Sequence, residues 1–360
     1  MRAFEYTPAA DVAAALAAIG PGALPLGSSR SARFIAGGTN LIDLMKEDVM
    51  QPARLVDVTR LPLAAIEETP EGGLLLGALA RNADTAKHPL VRERYPMLAA
   101  AMLSAASPQL RNMATNGGNL LQRTRCYYFY DVGVPCNKRA PGSGCPAKTG
   151  LARQLAILGT SQSCIATHPS DMCVALAALD ATVHVQSARG ARTIAFADFH
   201  RLPGDEPQRD STLEPDELIT HIELPARGYA QHGSYLKIRE RASYAFALVS
   251  VAAAFELDEA GRMRHARLAL GGVAHKPWRD QEAESLLDGQ APEAQAFERA
   301  ADALLAPARA WGSENGPGSN AFKIPLARRA IARALEMARD GELTNTGELA
   351  ADIFIQEQRA

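Results

Sequence analysis

Hydrophobic and polar residues along the first third of the chain predict short strands that alternate with helices. The apolar run at 33–36 is typical of a strand, and a Gly-Gly loop and the helical pattern LIDLMKEDV follow it. The runs LVDVT (55–59) and GLLLGAL (73–79) have the composition of strands. Helices are predicted near the N-terminus, beginning at about Ala9, and over 95–107, where Pro108 ends the pattern.

Regular patterning stops over 122–166, which we call the cysteine segment, and resumes after it. Ser170 or Asp171 can cap a helix that runs to Leu179. The runs ATVHVQS, TIAFADF and ELITHIELP (217–225) predict three further strands.

The last third begins after a polar, Gly-containing boundary near 226–233. The runs SYLKIRE, ALVSVAAAFELD and HARLALGGV predict a three-stranded antiparallel meander. Helical patterns follow at about 280–288, 292–306 and 324–339. The chain after Asp340 is polar, and we expect it to be loosely held.

Composition narrows the class of protein. The 360 residues are 47% hydrophobic and 22% charged, with a net charge of −2, so we expect a soluble globular protein whose main partner is not nucleic acid. There is no run of 18 apolar residues, which argues against a membrane span. The N-terminus lacks the pattern of a signal peptide, and by itself the chain looks cytoplasmic in origin. Five cysteines are too few for a disulfide scaffold.

Two similar glycine loops, AGGTNL (36–41) and TNGGNL (115–120), are candidates for phosphate binding. Glycine lets the backbone turn tightly and approach a ligand, and a strand-to-helix junction suits a pyrophosphate. Neither loop has the G-x-G-x-x-G fingerprint of a Rossmann NAD site, and most Gly-Gly pairs are plain turns. The loops alone therefore leave the ligand open.

Four cysteines form the second candidate site, spaced C-x9-C-x8-C-x18-C, at Cys126, Cys136, Cys145 and Cys164. Neither close zinc knuckles nor the bacterial ferredoxin spacing is present, so iron–sulfur, zinc and no metal all stay open. Six Lys and Arg residues against one acid, Asp131, occupy 123–153. Such charge suits an anionic [4Fe–4S] cluster, because it favours the reduced form and raises the potential.

Four other residues allow both a purely structural and a functional interpretation. Cys173 lies in an apolar helical pattern and is predicted to be a core residue. His168 either contacts a ligand or is solvated or caps the next helix. Asp171 is either an N-cap or a ribose ligand, and Lys237 is either an ordinary strand lysine or a cofactor contact. No catalytic triad, carboxylate pair or P-loop is present.

A set of motifs spread along the chain carries a family resemblance. FIAGGTNLIDLMK, QLRNMATNGGNLLQRTRC, HPSDM, ELITHIELP, SYLKIRERASYAFALVSVA and LGGVAHKPWR occur in this order between about Met1 and Ala338. Together they resemble the FAD-binding (medium) subunit of the xanthine dehydrogenase/aldehyde oxidase family of molybdenum hydroxylases. Within that family the chain is most similar to the branch of bacterial periplasmic aldehyde oxidoreductases.

The resemblance implies roles for individual residues. FAD would be bound by two loops and three further positions: Phe34, Ile35, Ala36, Gly37, Gly38, Thr39, Asn40, Leu41, Thr115, Asn116, Gly117, Gly118, Asn119, Asp171, Ile219 and Lys237. A [4Fe–4S] cluster would be held by Cys126, Cys136, Cys145 and Cys164. No catalytic acid–base residue is implied.

The resemblance also implies an α+β fold. A two-subdomain α/β FAD-binding region (1–60 and 61–228, with the iron–sulfur loop inserted) would precede a C-terminal domain (229–340) and a polar tail (341–360). The C-terminal domain would be a three-stranded antiparallel sheet with a small helical bundle.

Partners follow from the same resemblance. A large subunit would hold the molybdopterin cofactor, a small subunit would hold two [2Fe–2S] clusters, and an external acceptor would take the electrons from FAD. The heterotrimer would be periplasmic, exported with a signal-bearing partner, with the cytoplasm as the alternative. The rival functions are a self-sufficient flavin oxidase and a non-catalytic, zinc-stabilised scaffold subunit.

Overall fold

The computed structural model describes residues 1–20, 32–313 and 318–345 of the chain. The described strands form three sheets, and the first is small and parallel. Its order is β1-β3-β2, with β1 at Glu5–Pro8, β2 at Ala32–Ile35 and β3 at Arg54–Asp57. The second sheet is antiparallel, in the order β4-β5-β8-β6-β7. Its strands are β4 (Ile66–Glu68), β5 (Leu74–Gly77), β6 (Thr182–Ser187), β7 (Gly190–Ala195) and β8 (Leu218–Leu224).

Ten helices of the described residues accompany these two sheets. They are α1 (Val12–Ile19), α2 (Leu41–Lys46), α3 (Asn82–Lys87), α4 (Pro89–Arg94), α5 (Pro96–Ser104), α6 (Pro108–Arg111), α7 (Asn116–Leu120), α8 (Tyr127–Tyr130), α9 (Asp171–Ala178) and α10 (Phe196–Phe199). The α9 helix is buried along its whole length, which its continuous apolar sequence explains. Its N-cap is Ser170, whose hydroxyl accepts a hydrogen bond from the Cys173 amide.

The third sheet confirms the predicted antiparallel meander. Its order is β11-β10-β9, with β9 at Gly233–Ile238, β10 at Val249–Leu257 and β11 at Met263–Gly271. The helices α11 (Gln281–Ser285), α12 (Ala294–Leu305) and α13 (Lys323–Asp340) follow. A separate apolar core joins this sheet to α12 and α13, and a fully buried Ile331 contributes roughly 1.5–3 kcal/mol to it.

Three local predictions differ from the structure. The first helix begins at Val12, because Asp11 caps it by accepting a hydrogen bond from the Ala14 amide. The run TIAFADF is not one strand, since β7 ends at Ala195 and Phe196–Phe199 turns inward as α10.

The first five residues of the predicted tail are docked rather than loose. The Leu343 carbonyl accepts a hydrogen bond from the Tyr235 amide, and the Asn345 side chain bonds both backbone groups of Lys237. Residues 346–360 lie outside the described residues. Among the described helices, none combines the length and the apolar character needed to cross a bilayer.

Candidate functional site

The two glycine loops meet at one large cavity, which we call the main cavity. Its volume is about 740 Å³, within the range of small-molecule sites. The whole first loop, Phe34 to Leu41, lines it together with Thr115, Gly118, Asn119 and Asp171. The structure therefore brings together most of the residues that the sequence assigns to FAD.

A direct backbone contact holds the two loops together. A Cβ added at Gly37 would lie 1.9 Å from the carbonyl oxygen of Met113, just before the second loop, so only glycine fits. Gly38 has a φ of +69°, a conformation that other residues rarely adopt. The second loop starts α7, where the Thr115 hydroxyl accepts from the Gly118 amide. The contact fixes both loops on the same wall of the main cavity.

Arginines give this wall a positive character that the sequence patterns did not reveal. Arg33 on β2 and Arg123 at the start of the cysteine segment both line the main cavity. Burial, and secondarily the charge of Arg123, lowers the pKa of Arg33 to about 10. Arg33 therefore remains charged at neutral pH, and an anion in the cavity would relieve its repulsion with the Arg123 guanidinium.

Two buried donors on the same wall lack an acceptor. The Asn40 side-chain oxygen accepts from the Arg123 amide at 2.9 Å, while Asn40 Nδ2 has no partner within hydrogen-bond distance. The Arg123 Nη2 atom is also buried without a partner. Buried donors without acceptors are rare and costly, so these two groups fit a ligand with anionic oxygens, such as a pyrophosphate.

Asp171 also lines the main cavity, and two buried side chains hold its carboxylate in place. Its Oδ1 accepts from the Tyr235 hydroxyl at 2.7 Å, and its Oδ2 pairs with Lys237 Nζ at 2.8 Å. Each carboxylate oxygen can accept a second hydrogen bond, so a ligand hydroxyl can still be bound. Burial, and then the charge of Asp171, raises the pKa of Tyr235 well above its usual value, which keeps it a donor.

Four of the assigned residues lie behind the cavity wall. Lys237 is buried and reaches the cavity through Asp171. Asn116 is fully buried and hydrogen-bonds Asn82 and Thr85, while the Gly117 amide donates to the Ala78 carbonyl. Ile219 is buried in β8. The structure places these residues as supports of the loops, outside the lining itself.

The far wall is the loop between β9 and β10, which sequence patterns alone did not assign to the site. Glu240, Arg241, Tyr244 and Phe246 line the main cavity from this loop. The guanidinium of Arg125 lies 5.1 Å from the centre of the Phe246 ring and ties the loop to the cysteine segment. The sequence signal for this wall is the pair of aromatic residues in SYAF, whose side chains are exposed in the structure.

The four cysteines of the segment line a second, much smaller space of about 10 Å³, which we call the cysteine cavity. Cys126, Cys136 and Cys164 are buried in an apolar cluster that also contains Phe129, and Cys145 packs against it. Among the described residues, the ligand atoms of His168, Cys173 and His200 form the group of three that lie within 4.8 Å of one another. No three sulfurs of the cysteine cavity lie that close together. A single zinc ion would hold its sulfurs about 3.8 Å apart, whereas a cluster holds them more widely.

The thiols need a compensating charge to ionise. Burial raises the pKa of Cys126 to about 12 and that of Cys164 to about 11, and neighbouring thiols add to the effect. A metal centre supplies the positive charge that turns buried thiols into thiolate ligands. The donor set therefore fits a metal centre.

The basic residues of the segment divide between the two cavities. Arg123 and Arg125 line the main cavity, while Arg139 donates to the backbone carbonyls of Tyr128 and Phe129. Of the Lys and Arg residues that the structure describes, Lys138 alone lines the cysteine cavity. Direct contact between these basic residues and the cysteine cavity therefore rests on Lys138, and the wider basic surround of a cluster stays a prediction.

Two other interpretations are settled by burial. Cys173 is fully buried in α9, as predicted, and burial raises the pKa of its thiol to about 12. His168 is buried rather than solvated, and its Nδ1 accepts a hydrogen bond from the amide of Ser170, the N-cap of α9, which agrees with the capping alternative. Burial lowers the pKa of its imidazole well below the usual value.

Comparison with known proteins identifies the family. Residues 2–227 match the family model of the FAD binding domain in molybdopterin dehydrogenase. Residues 234–338 match the CO dehydrogenase flavoprotein C-terminal domain. The chain belongs to the FAD-binding subunits of the xanthine dehydrogenase family. The main cavity, with its glycine loops and unpartnered donors, fits the cofactor of this family.

Individual members of the family match along most of their length. The aldehyde oxidoreductase FAD-binding subunit PaoB of Escherichia coli (strain K12) is 50% identical over 309 residues, which are 86% of this chain and 92% of that protein. The glyceraldehyde dehydrogenase medium chain of Sulfolobus acidocaldarius is 30% identical over 72% of this chain and 74% of that protein. The structure of carbon monoxide dehydrogenase from Hydrogenophaga pseudoflava superimposes with a TM-score of 0.70 at 27% identity, over 94% of this chain and 97% of that one. The mixed α/β fold with a C-terminal three-stranded sheet is thus that of the family.

Proposed function

We propose that the chain is the FAD-binding electron-transfer subunit of a molybdenum-dependent aldehyde oxidoreductase. FAD would take electrons from a [2Fe–2S] subunit and deliver them to an external acceptor. The observation that carries the proposal is the main cavity, which both glycine loops build and which the guanidinium groups of Arg33 and Arg123 line. The 50% identity to an aldehyde oxidoreductase subunit supports the aldehyde as substrate class.

The residues of this chain would bind and orient the flavin. The first glycine loop, Arg33 and Arg123 would hold the pyrophosphate, and Asp171 would accept from a hydroxyl of the cofactor. Bound FAD supplies the exchange between one-electron and two-electron carriers. The aromatic loop at Tyr244 and Phe246 would shield the cofactor from water. Acid–base catalysis is not required of any residue here.

We further propose that Cys126, Cys136, Cys145 and Cys164 hold a [4Fe–4S] cluster. Their convergence on one cavity, with the cation of Lys138 in its lining, supports this choice. Zinc at the same cysteines is the alternative, and it would make the segment purely structural.

The partners would be a large subunit with the molybdopterin cofactor and a small subunit with two [2Fe–2S] clusters, in a heterotrimer. This chain matches 92% of a protein that is itself named as a subunit, which favours an assembly over a self-sufficient flavin oxidase. The similarity to the aldehyde oxidoreductase branch also supports a periplasmic location, with export of the folded complex by a signal on the small subunit. Cell fractionation with and without that signal tests the location, and a chain that stays cytoplasmic in both cases would contradict it.

A visible spectrum combined with iron, acid-labile sulfide and zinc analysis tests both cofactors. The chain should be purified anaerobically with its co-expressed partners. We expect about one FAD and about four irons per chain beyond those of the small subunit. An aldehyde added without acceptor should bleach the flavin bands. Flavin without the extra iron would contradict the cluster, and zinc without flavin would contradict the whole proposal.

A further inference from the structure

Three ionised side chains connect the two cavities. Asp210 lies between Arg123 and Lys138: its Oδ2 pairs with Arg123 Nε at 2.8 Å, and its Oδ1 pairs with Lys138 Nζ. Lys138 lines the cysteine cavity, whereas Arg123 and Asp210 line the main cavity. The network therefore touches both centres of the proposed function.

Lys138 is buried to an unusual degree for a lysine. Only 1% of its side chain is exposed, and its ammonium donates a second hydrogen bond to the Pro207 carbonyl at 2.7 Å. A buried cation is costly unless it is paired, and Asp210 supplies that pairing. Asp210 and Pro207 belong to the loop after α10, so the contact also anchors that loop on the cysteine segment.

The anchoring role alone does not require a charge at this place. A neutral donor or an apolar contact would attach the loop with less desolvation cost. The cysteine cavity, however, would contain four thiolates, and Lys138 is the cation in its lining within the described residues. Buried charges are little screened by water or salt, so one ammonium beside a cluster acts on its charge strongly.

We propose that Lys138 and Asp210 set the reduction potential of the cysteine-held centre with opposite signs. Lys138 stabilises the reduced, more negative form and raises the potential. Asp210 destabilises that form and limits the rise. The inference depends on the iron–sulfur cluster of the proposed function, and it assigns to these two residues an electrostatic role beyond anchoring.

The test is an anaerobic redox titration, followed by EPR, of the full complex with wild-type or variant chain. Lys138→Met keeps the length of the side chain and removes its charge, so the potential of the extra cluster should fall. Asp210→Asn keeps the shape and removes the negative charge, so the potential should rise. We expect about a tenfold change in the one-electron equilibrium for each variant, which corresponds to 59 mV.

Two further variants separate charge from anchoring. The double variant Lys138→Met with Asp210→Asn should have a potential close to that of the wild type, because the two opposite effects cancel. Arg153→Met is the matched control: this arginine is in the same segment, but its guanidinium pairs with Glu240 at the surface, where water screens the charge. We expect the one-electron equilibrium constant of the cluster in this variant to stay within twofold of the wild-type value.

The sign of the shifts decides the outcome. Shifts in the same direction for both single variants, or no shift with iron and FAD intact, would overturn the inference and leave Lys138 as an anchor. If the complex with Lys138→Met does not assemble, the Asp210→Asn variant still tests the inference. Only an electrostatic role requires the reduction potential of its cluster to rise. Absence of the extra iron in the wild type would overturn the cluster proposal itself, which the iron analysis distinguishes from an unchanged potential.

Discussion

The main cavity is framed by the ends of regular elements, whereas the cysteine cavity is enclosed by a segment with little regular structure. Strand β2, the starts of α2 and α7, and the start of α9 line the main cavity. The cysteine segment contains only the four-residue α8 and a single 3₁₀ turn at Pro146–Lys148 among its described elements. One region offers about 740 Å³ of space and the other about 10 Å³.

This difference concerns what each region needs in order to keep its shape. The main cavity rests on sheets and helices that have apolar cores of their own, so it persists without its ligand. The core of the cysteine segment contains three of the four thiols, which pack among aliphatic side chains and the ring of Phe129. We therefore expect the cysteine segment to depend on its bound centre far more than the main cavity depends on FAD.

The sharpest test of this comparison is Cys136→Ser. We expect loss of essentially all iron of the extra centre, because a cluster with three thiolates and one buried hydroxyl is poorly held. Limited proteolysis should then cut within 127–152, which contributes no residue to the lining of the main cavity, while FAD stays bound there. Iron analysis, protease mapping and flavin content measure the three effects.

Cys173→Ser is the matched control, since Cys173 is buried in α9 outside the cysteine cavity. It should retain the iron. Retention of all iron in Cys136→Ser, or simultaneous loss of FAD, would break the comparison.

Gly37→Ala should have the next largest effect, and it acts on the main cavity alone. The new Cβ would lie 1.9 Å from the Met113 carbonyl oxygen, so the two glycine loops must separate. We expect FAD affinity to fall by at least a hundredfold, about 2.7 kcal/mol, with the iron retained. Titration of the deflavinated complex with FAD measures the change.

Gly118→Ala serves as its control. There the new Cβ would be 3.0 Å from the Thr115 hydroxyl, a side-chain atom that can move aside. A smaller loss, of less than about tenfold, is expected. Equal losses in both variants would mean that the contact between the loops is not what matters.

Asp171→Asn should weaken FAD binding by about tenfold to a hundredfold. The change removes an acceptor in the main cavity and leaves the buried Lys237 without its ionic partner. Tyr235→Phe removes only one hydrogen bond to the carboxylate and should cost about tenfold at most. Flavin titration of both variants tests the order, and a larger loss in Tyr235→Phe would contradict the role given to Asp171.

Local signals predicted the elements well, because they depend on neighbouring residues. The Ser170 cap, the α9 helix and the three-stranded meander all follow from short patterns of capping and alternation. The turn at Phe196 was missed because apolar residues continue past the end of β7 without a break in the pattern.

Contacts between distant residues were not predictable in the same way. The closeness of Gly37 to Met113 joins loops that are 76 residues apart, and Lys138 and Asp210 are 72 residues apart. No periodicity encodes such pairs, since they result from the packing of whole elements. The family resemblance supplied the candidate residues of the site, and the structure separated those that line the main cavity from those that support it.

The last expected effect is a dependence of the free energy of unfolding on acid, which belongs to the main cavity. His200 lines that cavity, faces His168 at 4.3 Å between ring centroids and donates a hydrogen bond from Nε2 to the Leu120 carbonyl, 2.8 Å away. Because the carbonyl can only accept, Nε2 carries the proton. Burial lowers the pKa of His200 to about 4 from its usual 6.5.

The sign follows from the protons bound in each state. Between pH 6.5 and 4 the unfolded chain holds a proton on this imidazole and the folded chain does not, so stability falls as the pH falls through this window. The loss is roughly 3 kcal/mol at most over the window, or about 1.4 kcal/mol per pH unit. Denaturant unfolding at pH 7 and pH 5, with FAD fluorescence as the probe, measures it.

His200→Gln sharpens this prediction, because the amide keeps a donor for Leu120 but does not titrate. On unfolding near pH 5, the variant should take up about one proton fewer than the wild-type chain. The acid sensitivity that remains should come from His168 and His275, whose pKa values burial also lowers. An unchanged slope in the variant would show that His200 is already protonated in the folded chain. In that case its positive charge would add to those of Arg33 and Arg123, and the main cavity would be more cationic at low pH than its arginines alone make it.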